Sequence, residues 1–276
     1  YDAPNTGTLW GWEVSAYVWT KAIATGALLV PFLGMLVGQT TLSTSLQWSA
    51  VILGILFLSI TGGLLIKDLD KPSRFIYILL RPQWKSWLVR GGYAITLYGL
   101  SLTIWAVGLL LNSQAFVNVG LWSGVVLGVI TSVYTAFLFA QAKGRDFWQS
   151  PVLSLHMLVH SFMAGGAGFA LLAIVGVGGS EWQAFLPILL KVAIGVNLTV
   201  LILELATPHA TTDAKLAVKM IVSGQYNRPF WFGVVGLGNI LPFLLLLSGS
   251  PILAGLAGVC VLIGIYLSDH IWVCLL

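Results

Sequence analysis

Apolar residues fall along this chain in long unbroken stretches, and polar residues gather in the short gaps between them. We read the chain with a window of about 20 residues, the length that crosses ~30 Å of hydrocarbon at ~1.5 Å per helical residue. Eight runs emerge, at approximately 13–37, 48–66, 88–111, 118–141, 151–176, 183–205, 229–248 and 251–272. They show no period-two alternation and are far longer than the ~10-residue strands of a membrane barrel. The pattern therefore predicts an all-α bundle of eight transmembrane helices. Glycine is abundant, at 31 residues, and "GGAG" from Gly165 fits a close contact between two helices.

Composition points the same way. Of 276 residues, 58% are hydrophobic and 8% charged, with a mean hydropathy of +0.95. A soluble surface normally carries about 25% charged residues, so this is an integral membrane protein whose surroundings are a lipid bilayer, with no nucleic-acid partner expected. The two cysteines, Cys260 and Cys274, lie in one apolar run. They offer neither a metal-ligand spacing nor a disulfide framework and read as packing residues. The first run is preceded by Trp10 and Trp12 rather than by a basic segment and a small-residue cleavage site, so it reads as a span with interfacial anchors and not as a signal peptide.

The net charge of +4 matters less than its placement. Lys67, Lys71, Arg74, Arg81, Lys85 and Arg90 lie between the second and third runs, Lys143 and Arg145 between the fourth and fifth, and Lys215, Lys219 and Arg228 between the sixth and seventh. Lys21 and Lys191 fall deep inside runs, Arg90 only at the very start of the third, and the loops of the opposite face carry no Lys or Arg. The positive-inside rule places both termini and these loops in the cytoplasm.

Cutting the chain near residue 145 exposes a weak internal repeat. Tyr17 and Lys21 stand one helical turn apart in the first run and Asp68 ends the second. His156 and His160 stand one turn apart in the fifth run and Glu204 ends the sixth. A charged loop with a short amphipathic stretch follows each acid, "RFIYILL" and then "DAKLAVKMIVSG". The expected organisation is two four-helix bundles, 1–145 and 146–276, related as a parallel repeat.

The loop "DLDKPSRF" resembles the Asp-Leu-Gly-Arg-Pro-x-Arg-Phe loop of the polysulfide reductase NrfD family, membrane subunits that exchange electrons between quinones and an iron-sulfur partner. Further stretches are similar in order and spacing: "WGWEVSAYVWTKAIATGA", "GRDFWQSPVLSLHMLVHSFMAGGA", "ELATPHATTDAKLA" and "YNRPFWFGVVGLGNILP". Asp70 stands where the family loop often has glycine, and relatives commonly continue beyond "HIWVCLL". The resemblance implies the cytoplasmic membrane of a bacterium or archaeon. It also implies a quinone site built from the first helix, the end of the second and a tyrosine of the fourth. Here those positions are Tyr17, Asp68, Asp70 and Tyr134, with Arg74 beside them. In some relatives the first-helix residue is histidine, so with Tyr17 in its place Asp70 or Lys21 is left to supply the proton chemistry.

Quinol oxidation releases two electrons and two protons. Tyr17 and Tyr134 suit the ring oxygens, and Asp68 or Asp70 suits the proton. The plainer readings are an aromatic belt for the tyrosines and a loop ion pair with an aspartate for Arg74. Lys21, His156, His160, Lys191 and Glu204 are ionisable groups within spans, which cost at least ~2.5 kcal/mol near a helix centre. Each is expected to pair with another helix or to serve a proton route. The resemblance implies that a ferredoxin-like iron-sulfur subunit docks on Lys67, Lys71, Arg74, Arg81, Lys85 and Arg90, with a molybdopterin or similar catalytic subunit further out. Several relatives carry such partners on the outer face, opposite to the side that charge favours here.

Menaquinone or ubiquinone is then an exchangeable substrate, and no metal site, haem or iron-sulfur cluster is expected in this chain. It lacks a dinucleotide-binding glycine fingerprint, a c-type haem motif and a cysteine cluster. A b-haem anchor would need histidines on facing helices, and of the four histidines His156 and His160 share one face. A secondary transporter would account for the repeat and the buried charges, but no matching pair of Gly/Pro-broken runs stands out.

Overall fold

The structure is a computed structural model and describes residues 10–38, 41–68, 80–142, 146–208 and 211–275. Each long apolar run is helical, because hydrocarbon offers no partner for a backbone N–H or C=O and the helix satisfies both within the segment. The spans are α1 (Trp12–Leu36), α2 (Thr44–Lys67), α3 (Trp87–Leu110), α4 (Gln114–Ala140), α5 (Val152–Ile174), α6 (Gly179–Ala206), α8 (Pro229–Leu246) and α9 (Pro251–Cys274). Between α6 and α8 lies a short amphipathic helix, α7 (Thr212–Val222), the second of the stretches read from the sequence. The Thr211 hydroxyl accepts from the Ala214 N–H at its start, and Ala214, Ala217 and Ile221 form its buried side.

Burial separates the helices. α1 and α5 are mostly enclosed, whereas α2 turns Ile52, Leu56 and Ile60 outward. α1 packs on α2, α4, α5 and α9, and α5 packs on α1, α4, α6 and α9. The centre of the molecule is thus the crossing of α1 and α5, the first helices of the two halves. At that crossing Gly26 faces Gly165, and a methyl group on Gly26 would lie 2.7 Å from the Gly165 Cα. The Thr25 hydroxyl donates to Ser161 Oγ at 2.9 Å beside it. Small residues let the backbones approach, which is where dispersion and polar contacts hold helices together in lipid.

Two features differ from the plain reading. The seventh span is a π-helix over Pro229–Ile240 before it returns to α geometry at Leu241–Leu246. Pro242 lacks the N–H that α geometry would need at that point, and the Asn239 side-chain amide donates to the Val234 carbonyl at 2.8 Å, which helps satisfy the widened turn. Trp10 is also not a free interfacial anchor. It is half-buried and stacked on both Phe139 and Trp148, with ring centroids 5.0 and 5.1 Å away, the two partners being 5.1 Å from each other. Trp148 donates from Nε1 to the Trp272 carbonyl at 2.8 Å, tying the turn at Asp146–Gln149 to the end of α9. Trp12 stays exposed, under the Lys67 ammonium.

Candidate functional site

The candidate residues gather in two buried clusters on the half of the bundle nearest the charged loops. In the first, Tyr17 and Lys21 project from one face of α1, one turn apart, toward α4. Lys21 Nζ donates to the Ser132 carbonyl at 3.0 Å and to Thr135 Oγ1, and it sits 4.7 Å from the centre of the Tyr134 ring. The Tyr17 hydroxyl donates to the same Thr135 Oγ1 at 3.4 Å. All of these side chains are buried. The Tyr134 hydroxyl, although enclosed, has no hydrogen-bond partner among the described residues. Asp68 caps the C-terminal end of α2, exposed there, with its carboxylate in electrostatic reach of Tyr17.

Lys21 makes no ion pair within 4 Å among the described residues, while α9 carries a buried carboxylate, Asp269. Asp269 is the residue our reading of the sequence missed. It lies inside the eighth apolar run, so the rule that flags an ionisable group in a span applied to it as well.

The second cluster is a chain of four side chains from three helices. His156 Nδ1 is hydrogen-bonded to Glu204 Oε2 at 2.9 Å, His156 Nε2 to His160 Nε2 at 3.0 Å, and His160 Nδ1 to Asp269 Oδ1 at 3.0 Å. The i, i+4 spacing on α5 brings the imidazoles together, with α6 and α9 each supplying one acid. The rings meet edge to face, and Trp272 closes one side of His156 at 5.3 Å. Glu204 Oε1 and Asp269 Oδ2, the outer oxygens at the two ends, are buried without hydrogen-bond partners. A small cavity with room for about one water molecule adjoins the cluster, lined by Val18, Phe139, His156, His160 and Asp269 among others.

The remaining candidates stand apart. Lys191 is half-buried on α6 and joins neither cluster. His270 accepts from or donates to Ser15 Oγ at 3.1 Å. Lys67, Arg81, Lys85 and Arg90 are exposed on the rim. Lys67 pairs with Glu13 at 3.5 Å, and Arg90 donates to the Trp84 carbonyl at 2.7 Å while lying over Trp87. Asp70, Lys71 and Arg74 lie outside the described residues. Among the described residues no group of three or more His, Cys, Asp or Glu surrounds a point where a metal ion could sit. The tetrad is strung in a line, with every imidazole nitrogen already engaged.

The polysulphide reductase NrfD family model matches residues 3–268 of the chain. The chain belongs to that family. Similar proteins include a component of the polysulfide reductase of Wolinella succinogenes, 25% identical over 86% of this chain and 82% of that protein. Protein NrfD of Escherichia coli is 26% identical over 86% of this chain and 84% of its own length. A component of the selenate reductase of Mesobacillus selenatarsenatis is 29% identical over a shorter stretch, 48% of this chain and 33% of that protein. This NrfD-family protein is accordingly a multi-pass membrane protein, with eight helices among the described residues long and apolar enough to span.

Proposed function

We propose that this NrfD-family protein is the quinone-reactive membrane subunit of an oxidoreductase complex, passing electrons between quinol in the bilayer and an iron-sulfur centre in a partner subunit. The observation that carries the reading is the donor surplus of the first cluster. The Tyr134 hydroxyl is buried and unpartnered, and the Lys21 ammonium lies against the same ring. A buried donor left unpaired costs about 1–3 kcal/mol. The carbonyl oxygen of a quinone, whether menaquinone or ubiquinone, would satisfy it. The names of the relatives, reductases of polysulfide and selenate, support the same assignment.

Tyr17, Tyr134 and Lys21 close on one another, so a quinone ring must part side chains to reach them, and binding is coupled to opening of the pocket. Oxidation of quinol to quinone then yields two electrons and two protons. Tyr134 and Tyr17 hold the ring oxygens and Asp68, at the end of α2, takes a proton toward the rim; Asp70 and Arg74, which follow it in the sequence, are assigned a second proton acceptor and its partner cation. Lys21, His156, His160 and Glu204 serve the proton on the interior side; Lys191, which joins neither cluster, is left without a role in this path. The electrons leave to the cluster of a ferredoxin-like subunit seated on the cationic rim of Lys67, Arg81, Lys85 and Arg90, together with Lys71 and Arg74. A molybdopterin or similar catalytic subunit lies beyond it. With both imidazoles of α5 committed to hydrogen bonds, a b-haem axial pair is disfavoured.

The test is quinol-driven reduction of the partner's iron-sulfur centre in the copurified complex. Tyr134→Phe should slow it about tenfold, the worth of one hydrogen bond to substrate, with the complex intact. An unchanged rate would remove the first cluster from the quinone site.

A further inference from the structure

Lys191 is an intramembrane charge that neither buried cluster uses. It stands twelve residues after Gly179 and fifteen before Ala206 on α6, which puts its Cα ~18 and ~22 Å from the two helix ends at ~1.5 Å per residue. Half of the hydrocarbon core is ~15 Å, so this Cα lies close to the bilayer midplane. A four-carbon stem is too short to carry the ammonium from there to the headgroups, as lysines nearer a helix end do. The side chain is half-buried and, among the described residues, has neither a hydrogen bond nor an ion pair. A cation at that depth is costly and ordinarily has a partner.

The surface around Lys191 is shaped for another helix. α6 turns Asn197 and Glu204 inward, whereas Ile188, Val192 and Ile202 are exposed. Gly195 lies one turn beyond Lys191 on the outward side, and a methyl group placed on it would meet no atom within 4 Å. Thr199, one turn further and exposed, donates its hydroxyl to the Gly195 carbonyl at 2.9 Å. Lys191, Gly195 and Thr199 thus form a row at four-residue spacing along one edge of the helix. Small residues in such a row let a second backbone approach, and a polar side chain beside them supplies the hydrogen bond that holds two helices together in lipid. The glycine and threonine would mean little alone; the unpaired ammonium gives the row a charge requirement.

We propose that this edge of α6 is the contact surface for a transmembrane helix of a second membrane protein, which presents an aspartate or glutamate to Lys191 near the bilayer midplane. Charge selects the occupant. Lipid phosphates lie at the headgroup level, beyond the reach of the side chain. A second copy of this chain cannot supply the carboxylate. Glu204 and Asp269 are buried and hydrogen-bonded to His156 and His160, and Glu13 and Glu181 stand in the first turns of their helices, far from the midplane. A two-fold contact centred on the row would also set Lys191 against its own copy. The hydrophilic subunits proposed above sit on the rim, so this partner is an additional one, and the contact does not depend on the quinone reading.

Pairing relieves both proteins. An ammonium and a carboxylate are each expensive alone in hydrocarbon, and together they cancel their net charge and exchange charge-assisted hydrogen bonds. Gly195 lets the two helix axes come close enough for short side chains to meet. In the isolated chain, by contrast, Lys191 stabilises nothing. Lys191→Met should therefore leave the thermal midpoint of the purified protein unchanged or raise it. A clear fall would show that the ammonium is engaged inside this chain and would overturn the proposal.

The decisive measurement uses the full chain in phosphatidylcholine bilayers with a fluorescent leucine-rich peptide of about 20 residues, long enough to span, that carries one central glutamate. Association is read as energy transfer. The glutamate peptide should bind about tenfold more tightly than its all-leucine counterpart, and a central lysine should give no gain. Lys191→Arg should keep the preference, Lys191→Met should erase it, and Gly195→Leu should weaken it by blocking close approach. Equal binding of the glutamate and all-leucine peptides, or a preference that survives in Lys191→Met, would overturn the proposal. In the native membrane, a photo-crosslinking residue at Val192 should join the chain to another protein's apolar span that contains an aspartate or glutamate, and Lys191→Met should abolish that adduct. Adducts with lipid alone or with a second copy of the chain, or an adduct whose yield ignores Lys191, would equally overturn it.

Discussion

The two buried clusters start from the same local device and end with opposite chemistry. Each is built on the first helix of its half, with two polar side chains one turn apart, Tyr17 and Lys21 on α1 and His156 and His160 on α5. Around α1 the neighbours supply hydroxyls and a carbonyl, so donors are in surplus and the Tyr134 hydroxyl is left over. Around α5 they supply carboxylates, and two carboxylate oxygens are left over beside the unpaired indole N–H of Trp272. A site with spare donors suits a neutral carbonyl ligand. A site with spare acceptors and a closed hydrogen-bond chain suits protons. Cluster function here follows from which lone pairs and hydrogens remain uncommitted, and less from the pair of residues that seeds each cluster.

That contrast can be broken most forcefully at His156. His156→Leu removes the middle of the chain, leaving the Glu204 carboxylate buried without a partner and His160 Nε2 unpaired, so it should cost about 3–5 kcal/mol of stability, read as a lowered thermal midpoint of the purified protein. If the cost were below about 1 kcal/mol, the tetrad would not be a connected unit. Next comes the crossing that both clusters share. Gly26→Val forces a side chain against the Ser161 carbonyl and the Gly165 backbone, neither of which can rotate away. Overpacking of this kind costs about 1–3 kcal/mol, and it should disturb both the hydrogen bond between the His156 and His160 rings, read by solid-state NMR of ¹⁵N-labelled histidine, and quinol turnover. An effect on only one would show the clusters to be independent.

Tyr134→Phe gives a finer comparison. Its hydroxyl is buried and makes no bond in the closed site, so removing it should leave stability unchanged or raise it by up to about 1–3 kcal/mol, even as the rate falls about tenfold. Removal of a satisfied hydroxyl, as in Thr135→Val, should by contrast lower both, because Lys21 and Tyr17 donate to it. The smallest effect is expected at the rim. Lys67→Glu leaves the fold untouched, since its pairing with Glu13 is exposed and such pairs contribute little. It should weaken partner association by a few-fold at low ionic strength only, because exposed charges are screened by salt. This is measured by binding of the hydrophilic subunit at two salt concentrations.

Much of the site was legible in the chain. The i, i+4 pairs, the acids that end α2 and α6 and the amphipathic α7 all appear in the sequence and fall where helical periodicity puts them. Asp269 was legible and passed over. Neither the link between Glu204 and His156 nor that between Asp269 and His160 could be read, because a partner on another helix depends on how each helix is rotated about its axis. The π segment of α8 was also hidden, since it depends on local register as well as on Pro242 and Asn239.

On its own, the sequence determined that the chain crosses the membrane eight times and belongs to a recognisable family, and by charge alone it implies an orientation. Those properties are local: twenty apolar residues must be helical in hydrocarbon whatever surrounds them, and motifs keep their order along a chain. Tertiary structure alone decided which ionisable groups meet and which hydrogens and lone pairs stay free. That outcome is set where Gly26 lets α1 and α5 close together, and it arises from packing between segments from 48 to more than 100 residues apart in the chain.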